Sequence, residues 1–329
     1  MTGLLEIRDL SVHFRTEDGL VHAVSHVDFD LGEGEILGIV GESGSGKSQT
    51  WLAVMGLLAQ NGHATGSVKL HGRELLGLSP SQLSHIRGVQ LAMIFQDPMT
   101  ALNPYLTIGR QMTEVLQWHQ KMDRRDAEER AIKALEAVHI SDAASRLKTY
   151  PHEFSGGMRQ RVMIAMDMLT EPEILICDEP TTALDVTVQA QILALLNELR
   201  ERFGTAIVFI THDLGVIAQI AERVAVLYGG RMMEQAEVHT LFADYRHPYT
   251  EGLLRSVPRM DQQRTERLLT IPGNPPNLAM LPKGCPFSPR CAYVEERCRQ
   301  RMPDLESIGP GHVRACFHAG ELGHLETGA

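Results

Sequence analysis

Gly41-Glu42-Ser43-Gly44-Ser45-Gly46-Lys47-Ser48 has the form G-x-x-x-x-G-K-[ST]. In a loop of this form, backbone N–H groups wrap phosphate oxygens. Gly41, Ser43, Gly44 and Gly46 then shape the cradle, Lys47 reaches the outer phosphates, and Ser48 holds Mg²⁺. The flanking residues agree. Ile36–Val40 reads as a short buried strand feeding the loop, and a helix is expected from near Gly46 to about Leu58. The competing reading is a glycine-rich surface turn. It leaves unexplained a Lys47-Ser48 pair at a helix start, where the dipole favours anions.

Outward from the loop, strands and helices alternate. Residues 4–14 and 21–31 read as strands joined by a turn at Glu17-Asp18-Gly19. Ser67–Leu70 and Leu91–Phe95 are further strand candidates. From about 97 to 154 strand-like runs vanish. Thr107–Gln120 and Asp123–Val138 carry helical spacing instead, which marks an inserted helical subdomain over about 97–170. Met158–Leu169 reads as a helix, Glu173–Cys177 as a strand, Val186–Arg202 as a helix and Thr205–Ile210 as a strand. The Val186–Arg202 helix gathers Val188, Ile192, Leu195, Leu196 and Leu199 on one face. Glu222–Tyr228 and Arg231–Glu234 form a closing pair of strands. The expected class is α/β, with a parallel sheet covered on both sides and an antiparallel β subdomain at the N-terminus. Past Pro258 the pattern loosens. Ile271-Pro272-Gly273-Asn274-Pro275-Pro276 fits a linker, so the chain divides at 1–258 and 259–329.

Composition narrows the partners. A formal net charge of −10 and 5% aromatic residues argue against a nucleic-acid surface. The longest apolar runs fall short of a bilayer span, and the N-terminus does not read as a secretory signal. A cytosolic protein is expected, with any membrane role supplied by partners.

Asp178-Glu179 ends an apolar strand, where two carboxylates are costly unless they meet a cation or water. Asp178 is read as a Mg²⁺ ligand and Glu179 as the general base toward an attacking water. The competing role is to cap the next helix, for which Thr181, Thr182 and Asp185 are better placed. Gln96 and His212 each follow a strand and singly read as ordinary polar residues. Asp167 is a charge in the otherwise apolar stretch Val162–Leu169, read as a solvent-facing turn or a partner contact.

Five cysteines are present. Cys177 stands alone in a strand. Cys285, Cys291, Cys298 and Cys316 are spaced C-x5-C-x6-C-x17-C, which in a reducing compartment points to metal more than to disulfides. The spacing suits a four-iron four-sulfur cluster about as well as zinc. A segment of about 35 residues cannot bury its own core, so a structural metal is expected as a staple. Lys283, Arg290, Arg297, Arg299 and Arg301 read as a solvated face.

Taken in order, these motifs resemble the ATP-binding subunits of ABC transporters over about residues 4–250. Gly41–Ser48 is similar to the Walker A loop and Gln96 to the Q-loop glutamine. Phe154-Ser155-Gly156-Gly157-Met158 is similar to LSGGQ, with Phe154 and Met158 replacing its leucine and glutamine. Asp178-Glu179 resembles the end of Walker B, Ala183-Leu184-Asp185 the D-loop, and His212 the switch histidine. Phe14 sits where the family places an adenine-stacking aromatic. The resemblance implies Glu179, Gln96 and His212 as catalytic, and Ser48, Gln96 and Asp178 around Mg²⁺. It also implies nucleotide contacts from Ser155, Gly156, Gly157 and Asp185, with Ser155 and Gly157 reaching ATP held on an opposing subunit of a head-to-tail dimer.

A narrower resemblance rests on His247-Pro248-Tyr249-Thr250, Gly273-Asn274-Pro275-Pro276-Asn277 and Gly284–Cys291, within a tail running over Leu269–Cys316. Glu42, Ser43 and Phe95-Gln96-Asp97-Pro98-Met99 belong to it too. These are similar to oligopeptide and dipeptide permease ATPases of the D-type. The resemblance implies an ATPase at the cytoplasmic face of the inner membrane that energises oligopeptide or dipeptide uptake. Its partners would be a different F-type ATPase chain, two transmembrane permease subunits and an extracytoplasmic peptide-binding protein, with no nucleic acid. Its cofactors would be ATP, Mg²⁺ and a four-iron four-sulfur cluster on Cys285, Cys291, Cys298 and Cys316, with zinc as the alternative and unliganded thiols as the third reading. Nickel or glutathione import by the same machinery is the second reading. A soluble ABC ATPase is the third, disfavoured by the absence of a coiled-coil insertion between 97 and 154 and of a second nucleotide core.

Overall fold

In the computed structural model the structure describes residues 3–17, 19–96, 101–182, 184–257, 271–320 and 322. Asp18 of the expected turn, Asp97-Pro98-Met99, Ala183, the 258/259 boundary and Leu269 lie outside these residues. The elements in chain order begin with β1 (Leu5–Thr16), β2 (Gly19–Leu31), β3 (Ile36–Val40), α1 (Lys47–Val54), β4 (Gly62–Leu70), β5 (Arg73–Glu74), α2 (Pro80–Ser84) and β6 (Leu91–Ile94). There follow α3 (Ile108–His119), α4 (Arg124–Ala137), α5 (Ala143–Arg146), a 3₁₀ turn (Pro151–Glu153), α6 (Gly156–Asp167), β7 (Ile174–Asp178), α7 (Val186–Phe203) and β8 (Ala206–Thr211). The last are α8 (Leu214–Ile220), β9 (Arg223–Tyr228), β10 (Arg231–Glu237), α9 (Val238–Ala243), α10 (Pro248–Ser256), α11 (Glu296–Gln300), β11 (Glu306–Gly309) and β12 (His312–Arg314). Two compact units result. One takes the described parts of Met1–Leu31, Ile36–Gly77 and Thr211–Ala329, and the other takes those of Gly32–Glu35 and Leu78–Ile210.

The first unit holds an antiparallel sheet ordered β2-β1-β4-β5. Its alternation carries a phase change. Leu5 and Ile7 are buried on one parity, Leu10 and Val12 on the other. A bulge makes the switch: Asp9 adopts φ +52°, and the β1–β2 register shifts between Ile7 and Leu10. The Asp9 backbone N–H donates to Asp28 Oδ1 at 2.8 Å, which occupies a donor that the ladder leaves out. The same unit runs β11, β12, β10, β9 and β3 side by side, with β3 and β9 parallel and the rest antiparallel. All five residues of β3 are buried, as an apolar strand covered on both faces requires. Trp51 of α1 is fully buried beside Phe29, ring centroids 6.0 Å apart.

The tail is sewn into this unit. Glu234 pairs with Arg314 and Gln235 with Val313, so β12 extends the sheet from β10. Glu234 is fully buried, and its carboxylate accepts the N–H groups of Arg246 (2.6 Å) and His247 (3.1 Å). His312 Nε2 lies 2.8 Å from the same carboxylate. Tyr228, Tyr249 and Phe287 form an aromatic trio with centroids 4.5–5.3 Å apart.

The second unit runs β8-β7-β6 as parallel strands, every residue of β7 and β6 buried. Around them α3 buries Ile108, Met112 and Leu116, and α4 buries Ala127, Ala131 and Leu135. Thr107 caps α3 and Asp123 caps α4, at the boundaries the sequence pattern suggests. In α7 the buried stripe is Ile192, Leu193, Leu195, Leu196 and Leu199, while Val188 is half-buried. Phe154, which departs from the consensus, is a buried apolar anchor under the Arg146 guanidinium.

Asp167 is not a solvent-facing turn. It ends α6 half-buried, and burial pushes its carboxyl up to about 8. It also raises the thiol of buried Cys177, whose shift upward comes first from burial and then from Asp167 and Asp178. The unfolded chain ionises Asp167 near its ordinary value, whereas the fold keeps the proton until about pH 8. This group therefore supports the fold fully below the unfolded value, and that support is lost as pH rises through the folded one. Calorimetric melts should show Asp167→Asn more stable than the native chain at about pH 9, with the gap closing toward about pH 5.

Candidate functional site: a glycine phosphate loop and a carboxylate pair

In the first unit, Gly46 immediately precedes α1 with φ +97°, and a Cβ there would stand 2.5 Å from the Ala23 carbonyl oxygen. At Gly41 a Cβ would meet the Leu227 carbonyl at 2.2 Å. Side chains are thus kept out of the loop at both ends, and backbone lines it. Lys47 is buried and curls back: Nζ donates to the carbonyls of Gly41 (2.6 Å) and Glu42 (2.9 Å) and lies 3.4 Å from Ser45 Oγ. No side chain caps α1. Among the described residues, every other helix of eight or more residues is capped by a side-chain hydrogen bond, from Thr107, Asp123, Ser155, Asp185 or His247. A helix start lined by glycine and lacking a side-chain acceptor fits a phosphate.

Glu42 is the carboxylate of this loop. Its backbone N–H donates to Tyr249 Oη at 2.8 Å. Arg290 of the tail grips its carboxylate through Nη1 at 2.5 Å and Nη2 at 3.1 Å. The Arg290 side chain is only 6% exposed, so it leaves the solvated face expected for it, whereas Lys283, Arg297, Arg299 and Arg301 are exposed. His247 caps α10: its Nδ1 accepts the Tyr249 N–H at 3.0 Å. Burial, then Arg314, pushes His247 down to about 3, so it is neutral at pH 7. Phe14 is half-buried on β1, its ring edge against Gly62, where a Cβ would stand 2.6 Å from Phe14 Cε1. His212 is exposed after β8.

In the second unit, Asp178 is buried at the end of β7. Glu179 follows with φ +48°, a conformation that costs a side-chain-bearing residue energy and recurs at functional sites. Its N–H is fixed to the Ile210 carbonyl at 2.9 Å. Its carboxylate accepts from Thr182 Oγ1 (2.9 Å) and Gln96 Nε2 (3.2 Å). The structure therefore joins Gln96 to Glu179, which sequence order alone leaves open. Asp185 takes the cap of α7 through Val188 N–H at 2.9 Å, so the helix-cap role falls to it and not to Asp178. Ser155 is exposed and caps α6 through Met158 N–H at 3.4 Å. A Cβ on Gly156 would meet open space, and one on Gly157 would strike Val188 Cγ1 at 2.8 Å.

The cysteine expectation is corrected. Cys285, Cys291, Cys298 and Cys316 border one cavity with Phe287 and Phe317. Yet among the described residues no three His, Cys, Asp or Glu side chains stand where they could hold a metal ion. The four are free cysteines, and burial above all pushes Cys285 up to about 12 and Cys291 up to about 11, with Cys316 raised as well. Neither an iron–sulfur cluster nor zinc is retained for this segment. The staple expected from metal is supplied by β12 on β10, buried Glu234 and the aromatic trio.

Arg290, Tyr249 and Tyr228 are the site residues that sequence reasoning missed. The available signal was Glu42 itself: a carboxylate inside an anion-binding loop calls for a counter-charge.

Comparisons with known proteins bear on this site. Residues 24–182 match the model of the ABC transporter family, and residues 233–298 match that of the oligopeptide/dipeptide transporter C-terminal region. The chain is 57% identical over 314 residues to the oligopeptide transport ATP-binding protein OppD of Salmonella typhimurium, covering 95% of this chain and 93% of that protein. It is 55% identical to the OppD of Haemophilus influenzae, covering 99% and 100%. Among solved structures it is similar to the dimeric ATP-binding cassette MJ0796 in a post-hydrolysis state bound to ADP and Pi, with a TM-score of 0.64 and 27% identity over 71% of this chain and 98% of that one. It is also similar to cbiO1 of Clostridium perfringens, part of the transporter complex cbiONQ, with a TM-score of 0.62 and 25% identity over 74% and 92%.

The loop geometry sets one expectation. Gly46→Ala should lower stability by about 1–3 kcal/mol, because it forces an L side chain into a left-handed conformation against a carbonyl, and should abolish ATP binding. Thermal unfolding and calorimetric titration with Mg·ATP measure the two effects.

Proposed function

Because the chain belongs to the ATP-binding subunits of ABC transporters, in their oligopeptide and dipeptide branch, we propose that it is the ATP-hydrolysing subunit of an importer that energises oligopeptide uptake across the cytoplasmic membrane. The observation that carries this reading is the uncapped, glycine-lined start of α1 with Lys47 folded into it. The relatives quoted above are named for oligopeptide transport, which favours this substrate class over nickel or glutathione.

In this reading Gly41, Ser43, Gly44 and Gly46 present backbone to the triphosphate, and Lys47 exchanges its loop carbonyls for phosphate oxygens. Phe14 stacks on the adenine. Ser48, Gln96 and Asp178 are the residues that would hold Mg²⁺; buried Asp178 fits, since a carboxylate at a buried strand end is an oxygen donor that a cation there would stabilise. When bound, Mg²⁺ neutralises charge on the outer phosphates. Glu179 accepts the proton of the attacking water, while Thr182 and Gln96 fix which way its carboxylate points. His212 supports the γ-phosphate. Exposed Ser155 and Gly156 and half-buried Gly157, with Asp185, serve ATP bound on an opposing ATPase chain of a different, F-type kind.

Among the described residues no helix is long and apolar enough to cross a membrane. The subunit then works peripherally at the cytoplasmic face of the membrane, through two permease subunits and an extracytoplasmic peptide-binding protein. Residues 1–258 are the nucleotide-binding part, with the helical insert over about 97–170 coupling to the permeases, and 259–329 are the extension.

Glu179→Gln should keep ATP binding while phosphate release, assayed with the partner ATPase, falls about 10²–10⁴-fold. Turnover at the native rate would remove Glu179 from the role of base.

A further inference from the structure

We infer that Arg290, carried by the C-terminal segment, is a positioning residue for nucleotide binding: it neutralises the one carboxylate of the phosphate loop, Glu42, and holds that loop in its receptive shape. The inference rests on Gly41–Ser48 binding ATP, as proposed above.

All three polar groups of Glu42 are fixed. Its N–H donates to Tyr249 Oη (2.8 Å), its carbonyl accepts from Lys47 Nζ (2.9 Å), and its carboxylate takes both terminal nitrogens of Arg290 (2.5 and 3.1 Å). Arg290 is fixed in turn. Nη1 donates to Tyr228 Oη at 3.1 Å, Nε to the Pro272 carbonyl at 2.8 Å, and Nη2 to the Ile271 carbonyl at 3.3 Å. The Tyr228 ring lies 5.7 Å from its guanidinium carbon. Burial pulls the guanidinium down, but hydrogen bonds to Glu42 and Tyr228 outweigh it and the net shift is upward. The pair is therefore charged, bidentate and mostly out of water, which is a geometry that lysine cannot reproduce.

The consequence for ATP follows from charge. A triphosphate arriving in the loop meets a negative side chain at its second residue. Unpaired, that carboxylate repels the ligand in a partly desolvated site. Paired with Arg290 it presents no net charge, and its backbone stays in place to accept Lys47. Arg290, held by the carbonyls of Ile271 and Pro272, thus reaches back across 248 positions of sequence to act on nucleotide affinity.

The test uses the full chain, with Mg·ATP binding followed by calorimetry and hydrolysis measured with the partner ATPase. Arg290→Ala should raise the ATP dissociation constant about tenfold or more, while kcat at saturating ATP stays within about twofold of native. Arg290→Lys should recover only part of the loss. Adding Glu42→Gln to Arg290→Ala should restore most of the affinity, because it removes the charge left unpaired. Native affinity in Arg290→Ala overturns the inference. So does a double variant no better than Arg290→Ala when both melt as the native chain does, since Arg290 would then only anchor the tail. If Arg290→Ala fails to fold, Arg290→Lys with and without Glu42→Gln decides: weakened binding rescued by the second change supports the inference, and unchanged binding overturns it. A native chain that does not bind ATP would instead defeat the nucleotide reading itself.

Discussion

An anion-binding helix start has to be left open, and that constraint organises the first unit of this protein. Helix N-termini expose N–H groups that proteins normally close with a side chain. Among the described residues, α1 is left without such a closure while the other helices of eight or more residues are capped. An open helix start is stable only if its surroundings hold the backbone by other means. The Leu227 carbonyl crowds Gly41, the Ala23 carbonyl crowds Gly46, and Lys47 ties the loop to itself. Strands β3 and β9, parallel and buried, fix the base from which the loop springs.

The tail solves a different problem. A short, cysteine-bearing segment lacks the apolar area for a core of its own. It borrows one. β12 joins β10, Glu234 satisfies two backbone donors and faces His312, and Phe287 fills the space beside Tyr228 and Tyr249. The same aromatic pair serves the phosphate loop, Tyr249 through Glu42 N–H and Tyr228 through Arg290. Structural support and site support are therefore one network.

What the sequence made legible was local. Ile36–Val40 alternates with nothing because it is buried on both faces, and it is a strand with those bounds. The Val186–Arg202 helix is found with its cap at Asp185 and its left-handed glycine end at Gly204. Glu179 was legible as a carboxylate that needs a reason, but its left-handed backbone and its link to Gln96 were not, since those depend on β8 and β6 standing on either side of β7. Arg290 was misread as a solvated charge because its partner stands 248 residues away. The cysteines were misread because spacing records distance along the chain and not what else holds the loops together. Asp167 reads from sequence as a solvent-facing turn or a partner contact, yet the helix end it occupies is not wet enough to ionise it at ordinary pH.

Pairing Glu42 with Arg290 also fixes an order of events at the ribosome. The guanidinium that braces the glycine loop is polymerised 248 residues after Glu42, and the strand that docks the tail later still. A nascent chain thus carries the loop without the brace until Arg290 has been added. On the inference above, the cradle reaches its final form only after Arg290 has been added, and a chain stopped before that residue lacks the brace.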